Sequence, residues 1–190
     1  SHMGFVTLGI FALNAQGIQG SILQMVNHGL STGALFLIVG LIYDRRHTRM
    51  IADLGGLSSV MPVYATCFAI IMLSSMGLPG LNGFVGEILI LLGAFRVDWR
   101  WAAAGAIGIV LGAAYLLWLY QRTMFGPITH PENRTLTDLD GRELATLVPI
   151  IVLCFWIGLY PMPFLNAMAP SVNKVLQKVN AKALRAEAPV

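Results

Sequence analysis

Gly77-Leu78-Pro79-Gly80-Leu81-Asn82-Gly83 decides how this chain is built, because it stands between two apolar runs, residues 60–78 and 84–95. Proline has no amide hydrogen and its ring clashes with the preceding turn, while Gly77, Gly80 and Gly83 relax the backbone around it, so a continuous helix breaks here. Two readings of the break stand side by side. Residues 60–95 form one interrupted crossing, whose unwound backbone must then be enclosed by protein or face a water-filled cavity. Otherwise the segment is a tight turn between two separate crossings.

Either reading presupposes a membrane, and the composition supplies it. The chain has 190 residues, 56% hydrophobic and 11% charged, with mean hydropathy +0.72. A soluble domain carries about 25% charged residues. Disorder is excluded by the wealth of apolar side chains. A net charge of +3 with no basic helix face argues against nucleic acid as a partner. Residues 1–43 contain no Asp, Glu, Lys or Arg, residues 54–95 contain only Glu87, and residues 101–121 contain none. A crossing helix needs about 20 mostly apolar residues for a hydrocarbon layer of about 30 Å. Such stretches are expected to be helices, since lipid offers the backbone no partners. The apolar run 35–41 lacks the period-two alternation of a transmembrane barrel.

The expected fold is therefore all-α, a polytopic transmembrane helix bundle with one interrupted helix and a C-terminal amphipathic helix. Residues 1–161 form the membrane domain and residues 162–190 the tail. Residues 3–13 are apolar over half a span, with no basic segment before them and no cleavage site after, so no signal peptide is expected. Ser1-His2-Met3 reads either as a cloning scar or as the cut end of a longer helix. Full spans are expected at 20–43, 102–120 and 144–160, the last ended by Pro161 and Pro163. From 170 to 185, Val172, Val175, Leu176, Val179 and Leu184 recur at helical spacing opposite the lysines. That pattern suits a helix lying on the membrane surface or against a neighbouring subunit. If residues 60–95 cross once, loops 44–59 and 121–142 share a side and six arginines, against two in loop 96–100. If they cross twice, the count is five against three. Both counts place loop 44–59 in the cytoplasm, and the first, with the larger bias, is adopted.

Within this frame the polar residues are few. Glu87 lies four residues beyond the break, in an otherwise apolar run. A charge at mid-bilayer costs roughly 2.5–3.5 kcal/mol, and acids kept there commonly serve ion or proton pathways. The other reading is a carboxylate at a helix end, reaching the interface or capping loop amides. Gln24, Asn27, His28, Ser31 and Thr32 follow i, i+3, i+4, i+7, i+8, which puts all five on one helix face. A buried polar stripe of this kind suits a hydrated proton path with His28 as relay. It equally suits interhelical hydrogen bonding, with Gly29 and Gly33 permitting close contact. Cys67 and Cys154 read as small buried side chains, and no metal-ligand spacing stands out. The Asn133-Arg134-Thr135 sequon carries no weight without a secretory route.

These residues carry a resemblance. Ser1-His2-Met3-Gly4-Phe5, the run from Met25 through His28-Gly29-Leu30-Ser31-Thr32-Gly33-Ala34-Leu35-Phe36, Arg46-His47-Thr48-Arg49, and Gly77 through Glu87 resemble the subunit M family of bacterial proton-pumping NADH:quinone oxidoreductase (respiratory complex I). The likeness continues through Asp138-Leu139, Arg142-Glu143 and Gly158-Leu159-Tyr160-Pro161. It implies an antiporter-like subunit in which Glu87 is the essential acid of an interrupted helix and His28 and His2 are its proton-path histidines. It also implies that Ser1-His2-Met3 is native. The family's first half, with another interrupted helix, a glutamate–lysine pair and a central lysine, has no counterpart here, and no lysine precedes Lys174. The resemblance thus implies the C-terminal part of the subunit, in a bacterial inner membrane. Its partners would be the other membrane-arm subunits, the N-terminal half of the same subunit and the lipid bilayer. No cofactor is expected in this chain, with NADH, FMN, iron–sulfur clusters and quinone in other subunits. The rival readings are a subunit of a cation/proton antiporter or membrane hydrogenase complex, and a structural scaffold without its own proton path.

Overall fold

The structure, a computed structural model, describes residues 1–187, with side chains described through Ala181. Among the described residues it has seven α-helices, three short 3-10 turns and no strand: α1 (His2–Phe11), α2 (Ala15–Arg46), α3 (Pro62–Ser75), α4 (Asn82–Val97), α5 (Trp99–Met124), α6 (Gly141–Leu159) and α7 (Met162–Glu187). Helices α2, α5 and α6 are each long and apolar enough to cross a membrane. The protein is a polytopic helical membrane protein.

Helix α2 is the axis of the bundle. Its 32 residues start at Asn14, whose side chain accepts the Gly17 N–H, and stop at His47, held in the left-handed conformation at φ 51°. Along α2 the partners come in strict reverse order. Asn14 donates to Gly93 O, Asn27 donates to Asn82 O, Ser31 Oγ meets Ser74 Oγ, and Ile38 O accepts from Tyr64. Helices α3 and α4 therefore lie end to end, antiparallel to α2. With 14 and 16 residues, neither meets the length of about 20 that a crossing needs. The break at 76–81 thus interrupts one crossing and does not turn between two.

Glycines set the spacing at the Asn14 end. A Cβ on Gly17 would meet Gly9 O and Ala12, one on Gly93 would meet the Gly17 backbone, and one on Gly20 would meet Ile90 N. Helices α1, α2 and α4 consequently touch backbone to backbone. Gly29 and Gly33, expected to serve this purpose, have nothing within 4 Å and face outward. Their face of α2 meets no helix of the described residues.

At the opposite end, loops 44–59 and 121–142 interlock, as the single-crossing count requires. Arg45 forms a bidentate pair with Glu143 (2.8 and 2.6 Å) and donates to Thr137 O, Asp138 O and Leu41 O. Arg46 pairs with Glu132, and Ser58 donates to Met124 O. Asn133, the residue of the sequon, is fully buried and donates to Asp53 O, so it is no glycan acceptor in this fold. The Asp138 carboxylate accepts from Val63, Tyr64 and Leu139 N–H at 2.8–2.9 Å. It caps α3 from another loop, because Met61 at the N-cap position has no side-chain acceptor to offer.

The tail departs from expectation. Pro163 does not end a helix but sits in the first turn of α7, where a missing N–H costs nothing, and α7 passes through Pro170. Its start lies eight residues before the expected one. Phe164, Leu165 and Met168 pack against Leu23, Val85 and Ile157, and Val172 is 2% exposed. The first half of α7 is thereby part of the bundle. The reading took Pro170 as a boundary and so missed the apolar residues before it. Leu184, named in that pattern, lies outside the described side chains.

Asp138→Ala should lower stability by about 1–2 kcal/mol, the usual worth of a helix cap, while Asp138→Asn, still an acceptor, should lose less. Thermal unfolding of the purified protein in detergent checks this, and equal midpoints for Asp138→Ala and the parent would refute the cap.

Candidate functional site: the helix break and its imidazole–carboxyl chain

The polar stripe of α2 faces the break. Gln24, Asn27 and Ser31 are buried, at 1–2% exposure, and His28 and Thr32 lie half-buried at the edge of the same face. Across from them, α3 ends in Ser74 and Ser75 and α4 begins at Asn82. Gly77 at φ 78° and Gly80 at φ 94° turn the chain between the two helices in the left-handed region that favours glycine.

Glu87 lies on the second turn of α4 and is 5% exposed. Its carboxylate rests against Gly77, where any Cβ would collide with Oε2. Gln24 Nε2 approaches Oε1 at 3.5 Å and His2 Nε2 lies 3.8 Å from the same oxygen. His2 reaches the site from α1, near the half-helix level of α2. Its Nε2 contacts Ser75 O at 2.8 Å and its Nδ1 contacts His28 Nδ1 at 3.2 Å, the two rings nearly perpendicular. His28 Nδ1 in turn meets Thr32 Oγ1 at 2.9 Å.

A second branch runs along the floor. Asn27 Nδ2 donates to Asn82 O (2.7 Å) and to Gln24 Oε1 (3.4 Å), Ser74 donates to Asn82 Oδ1, and Asn82 Nδ2 reaches Ser31 Oγ (3.4 Å). Asn27 Oδ1 is buried with no donor among the described residues. Gly83 lies flush on Ser74 O and Gly86 on Gln24 and Asn27, so no side chain separates the break from α2.

The structure thus brings together Glu87, His2, His28, Gln24, Asn27, Ser31, Thr32, Asn82, Gly77 and Gly83. Pro79 and Gly80 form the connection itself, and Gly80 O packs on Gly158 of α6. Ser74 and Ser75 escaped the sequence reading. A pair of hydroxyls directly before a Gly-Pro break was the available signal. Chemically, the constellation offers a hydroxyl and two imidazoles in hydrogen-bond contact, with a carboxyl 3.8 Å beyond the second imidazole.

Residues 1–112 match the family described as NADH:quinone oxidoreductase/Mrp antiporter, TM. The chain is 46% identical over 181 residues to NADH-quinone oxidoreductase subunit M of Rhodobacter capsulatus, covering 95% of this chain and 35% of that protein. It is 48% identical to NADH-ubiquinone oxidoreductase chain 4 of Marchantia polymorpha, covering 93% of this chain and 36% of that one. The chain therefore spans about a third of the length of the curated relatives it matches. Among solved structures, respiratory complex I from Thermus thermophilus with bound NADH matches at TM-score 0.85 and 33% identity, over 93% of this chain and 38% of that one. The Mrp complex from Dietzia sp. shares the fold, with TM-score 0.80 and 20% identity over 90% of this chain and 40% of that one. This chain belongs to the NADH:quinone oxidoreductase/Mrp antiporter transmembrane family.

Proposed function

We propose that this chain is the C-terminal part of a proton-translocating subunit M of a bacterial NADH:quinone oxidoreductase, in the inner membrane, and that protons move through His28, His2 and Glu87. The other membrane-arm subunits and the N-terminal half of the same subunit are its partners. NADH, FMN, iron–sulfur clusters and quinone belong to other subunits, and this chain contributes proton movement coupled to quinone reduction there. The names of its relatives support the assembly. The observation that carries the role is the imidazole–imidazole–carboxyl series across the break.

The hydrogen-bond arithmetic allows a proton to pass along that series. His2 Nε2–H donates to Ser75 O, so neutral His2 has an acceptor at Nδ1. A His28 protonated on both nitrogens donates its Nδ1–H there and passes that proton on. His2 then holds two protons and can deliver the one on Nε2 to Glu87 Oε1, 3.8 Å away, leaving Glu87 neutral and His2 neutral. Thr32 Oγ1, 2.9 Å from His28 Nδ1, shares that nitrogen with His2: its hydroxyl accepts the Nδ1–H and holds the ring in place until the N–H is donated to His2 instead. Asn27 Oδ1 stays free to accept from water, which supports hydration of the floor.

Two substitutions test the reading in the complete assembly. Glu87→Gln keeps the shape and removes the titratable group. It should lower the number of protons translocated per electron in sealed vesicles, while NADH oxidation by an artificial acceptor continues. An unchanged ratio would refute the role of Glu87, and sodium-dependent proton release would assign the chain to a cation/proton antiporter assembly. Thr32→Val should slow translocation several-fold, as loss of a hydrogen bond worth about 1 kcal/mol predicts. Thr32→Ser should restore the rate and its pH profile. Equal rates for Val and Ser would show that Thr32 only packs.

A further inference from the structure

Ser31 of α2, Ser74 of α3 and Asn82 of α4 are each at most 1% exposed, and their side chains close a ring. Asn82 Oδ1 only accepts, so the Ser74 hydroxyl donates to it. Ser74 Oγ then accepts from Ser31 Oγ, 2.8 Å away, and Ser31 Oγ accepts from Asn82 Nδ2 at 3.4 Å. Each member donates once and accepts once within the ring. A fourth helix seats it. The fully buried Cys154 thiol of α6 lies in hydrogen-bond contact with both hydroxyls, and Gly158, one turn on, rests against Gly80 O and Leu81.

The ring stands astride the break. Among the described residues, Ser74 to Asn82 is the one side-chain hydrogen bond that joins α3 directly to α4. Among them, too, no side chain of the ring bonds to His2, His28 or Glu87. Its hydrogens are committed inside it, so it hands those groups no proton. What it borders is the pair of acceptors that face a single N–H. His2 Nε2 lies 2.8 Å from Ser75 O and 3.8 Å from Glu87 Oε1. Ser75 follows Ser74 at the end of α3, and Glu87 shares α4 with Asn82. How far the N–H must turn from carbonyl to carboxylate is therefore set by how α3 and α4 meet.

We infer that Ser74, closed in a ring with Ser31 and Asn82, is a positioning residue for proton transfer, holding Ser75 O and Glu87 at fixed reach of His2 Nε2. The inference rests on the proposed proton path and adds to it residues that carry no proton. Opening the ring at any corner strands a buried polar group where lipid offers no partner, and the two half-helices lose their side-chain link. A ring also has a signature that separate bonds lack. One cut removes the whole constraint, so a second cut costs nothing more, whereas independent bonds add their effects.

The test uses the complete assembly in sealed vesicles. Ser74→Ala should slow proton translocation about five-fold, the worth of one hydrogen bond, and displace its pH profile, while NADH oxidation by an artificial acceptor continues. Ser74→Thr keeps the hydroxyl and should restore rate and profile. Ser31→Ala opens the ring from the continuous helix α2 and should match Ser74→Ala, and it carries the test where Ser74→Ala does not assemble. The double alanine variant should be no slower than either single one, where independent bonds would multiply to about 25-fold. A pH profile unmoved in the alanine variants, a threonine variant with the alanine profile, or a multiplicative double variant would overturn the positioning role. Glu87→Gln separates the two readings. If it lowers translocation and the alanine variants do not, positioning fails alone; if none of them does, the proton path fails with it.

Discussion

Unwound backbone between α3 and α4, level with the middle of α2, is the constraint on which this structure depends. A helix end leaves carbonyls and amides without intrahelical partners, and at this depth lipid supplies none. The last carbonyl of α3 is satisfied by a polar side chain from another helix, and the first residue of α4 is tied to α2 by one. His2 of α1 takes Ser75 O, Asn27 of α2 takes Asn82 O, and Ser74 and Asn82 bridge the gap by their own side chains. The interrupted helix and the polar stripe are therefore one feature. Without the stripe the break would expose unpaired peptide groups, and without the break the stripe would face an apolar helix.

That dependence removes the opposition between a packing role and a proton-handling role for the stripe. Gln24, Asn27 and Ser31 hold the two halves of the crossing in register, and the same bonds fix His28 and Thr32 at the edge where His2 arrives. Short side chains such as Ser and Asn reach across only when backbones approach closely, which explains the glycines. Gly83 and Gly86 bring α4 onto Ser74 and Gln24, Gly20 brings α2 onto Ile90, and Gly77 leaves the Glu87 carboxylate its place. Alanine at any of these positions would push apart groups whose hydrogen bonds the buried backbone requires.

Much of this was legible in the sequence. The break could be read because Pro79 and its glycines act through local backbone chemistry, and the stripe because helical periodicity is local too. The shared side of loops 44–59 and 121–142 followed from counting arginines. The single crossing was adopted on the arginine count alone, since the reverse-order pairing with α2 joins residues 26 to 79 positions apart. Gly29 and Gly33, read as contact points, meet no helix among the described residues, for a related reason. A glycine's sequence neighbours do not say which face of its helix meets a partner. His2 was placed in the proton path by resemblance alone, for nothing local to residues 1–5 indicates that α1 folds back beside residue 28. The entry of α7 into the bundle was hidden by treating Pro170 as a boundary, although the helix had already begun at Met162.

The two ends of the bundle differ in how they are held, and the difference bears on what can move. Arg45, Glu143 and Asp138 form a lattice of charge-assisted bonds that pins α3 to α2 and α6 at one end. At the other, α1, α2 and α4 are locked by glycine contacts that leave no room for sliding. The break between them is the one part of the crossing without helical hydrogen bonds, so a change of charge on Glu87 must be absorbed there. Closing the 3.8 Å separation between His2 and Glu87 to hydrogen-bond distance takes a shift of about 1 Å, which a side-chain rotation supplies without moving a helix. A rigid frame around a deformable centre lets the donors and acceptors exchange partners while the helices that carry them keep their spacing.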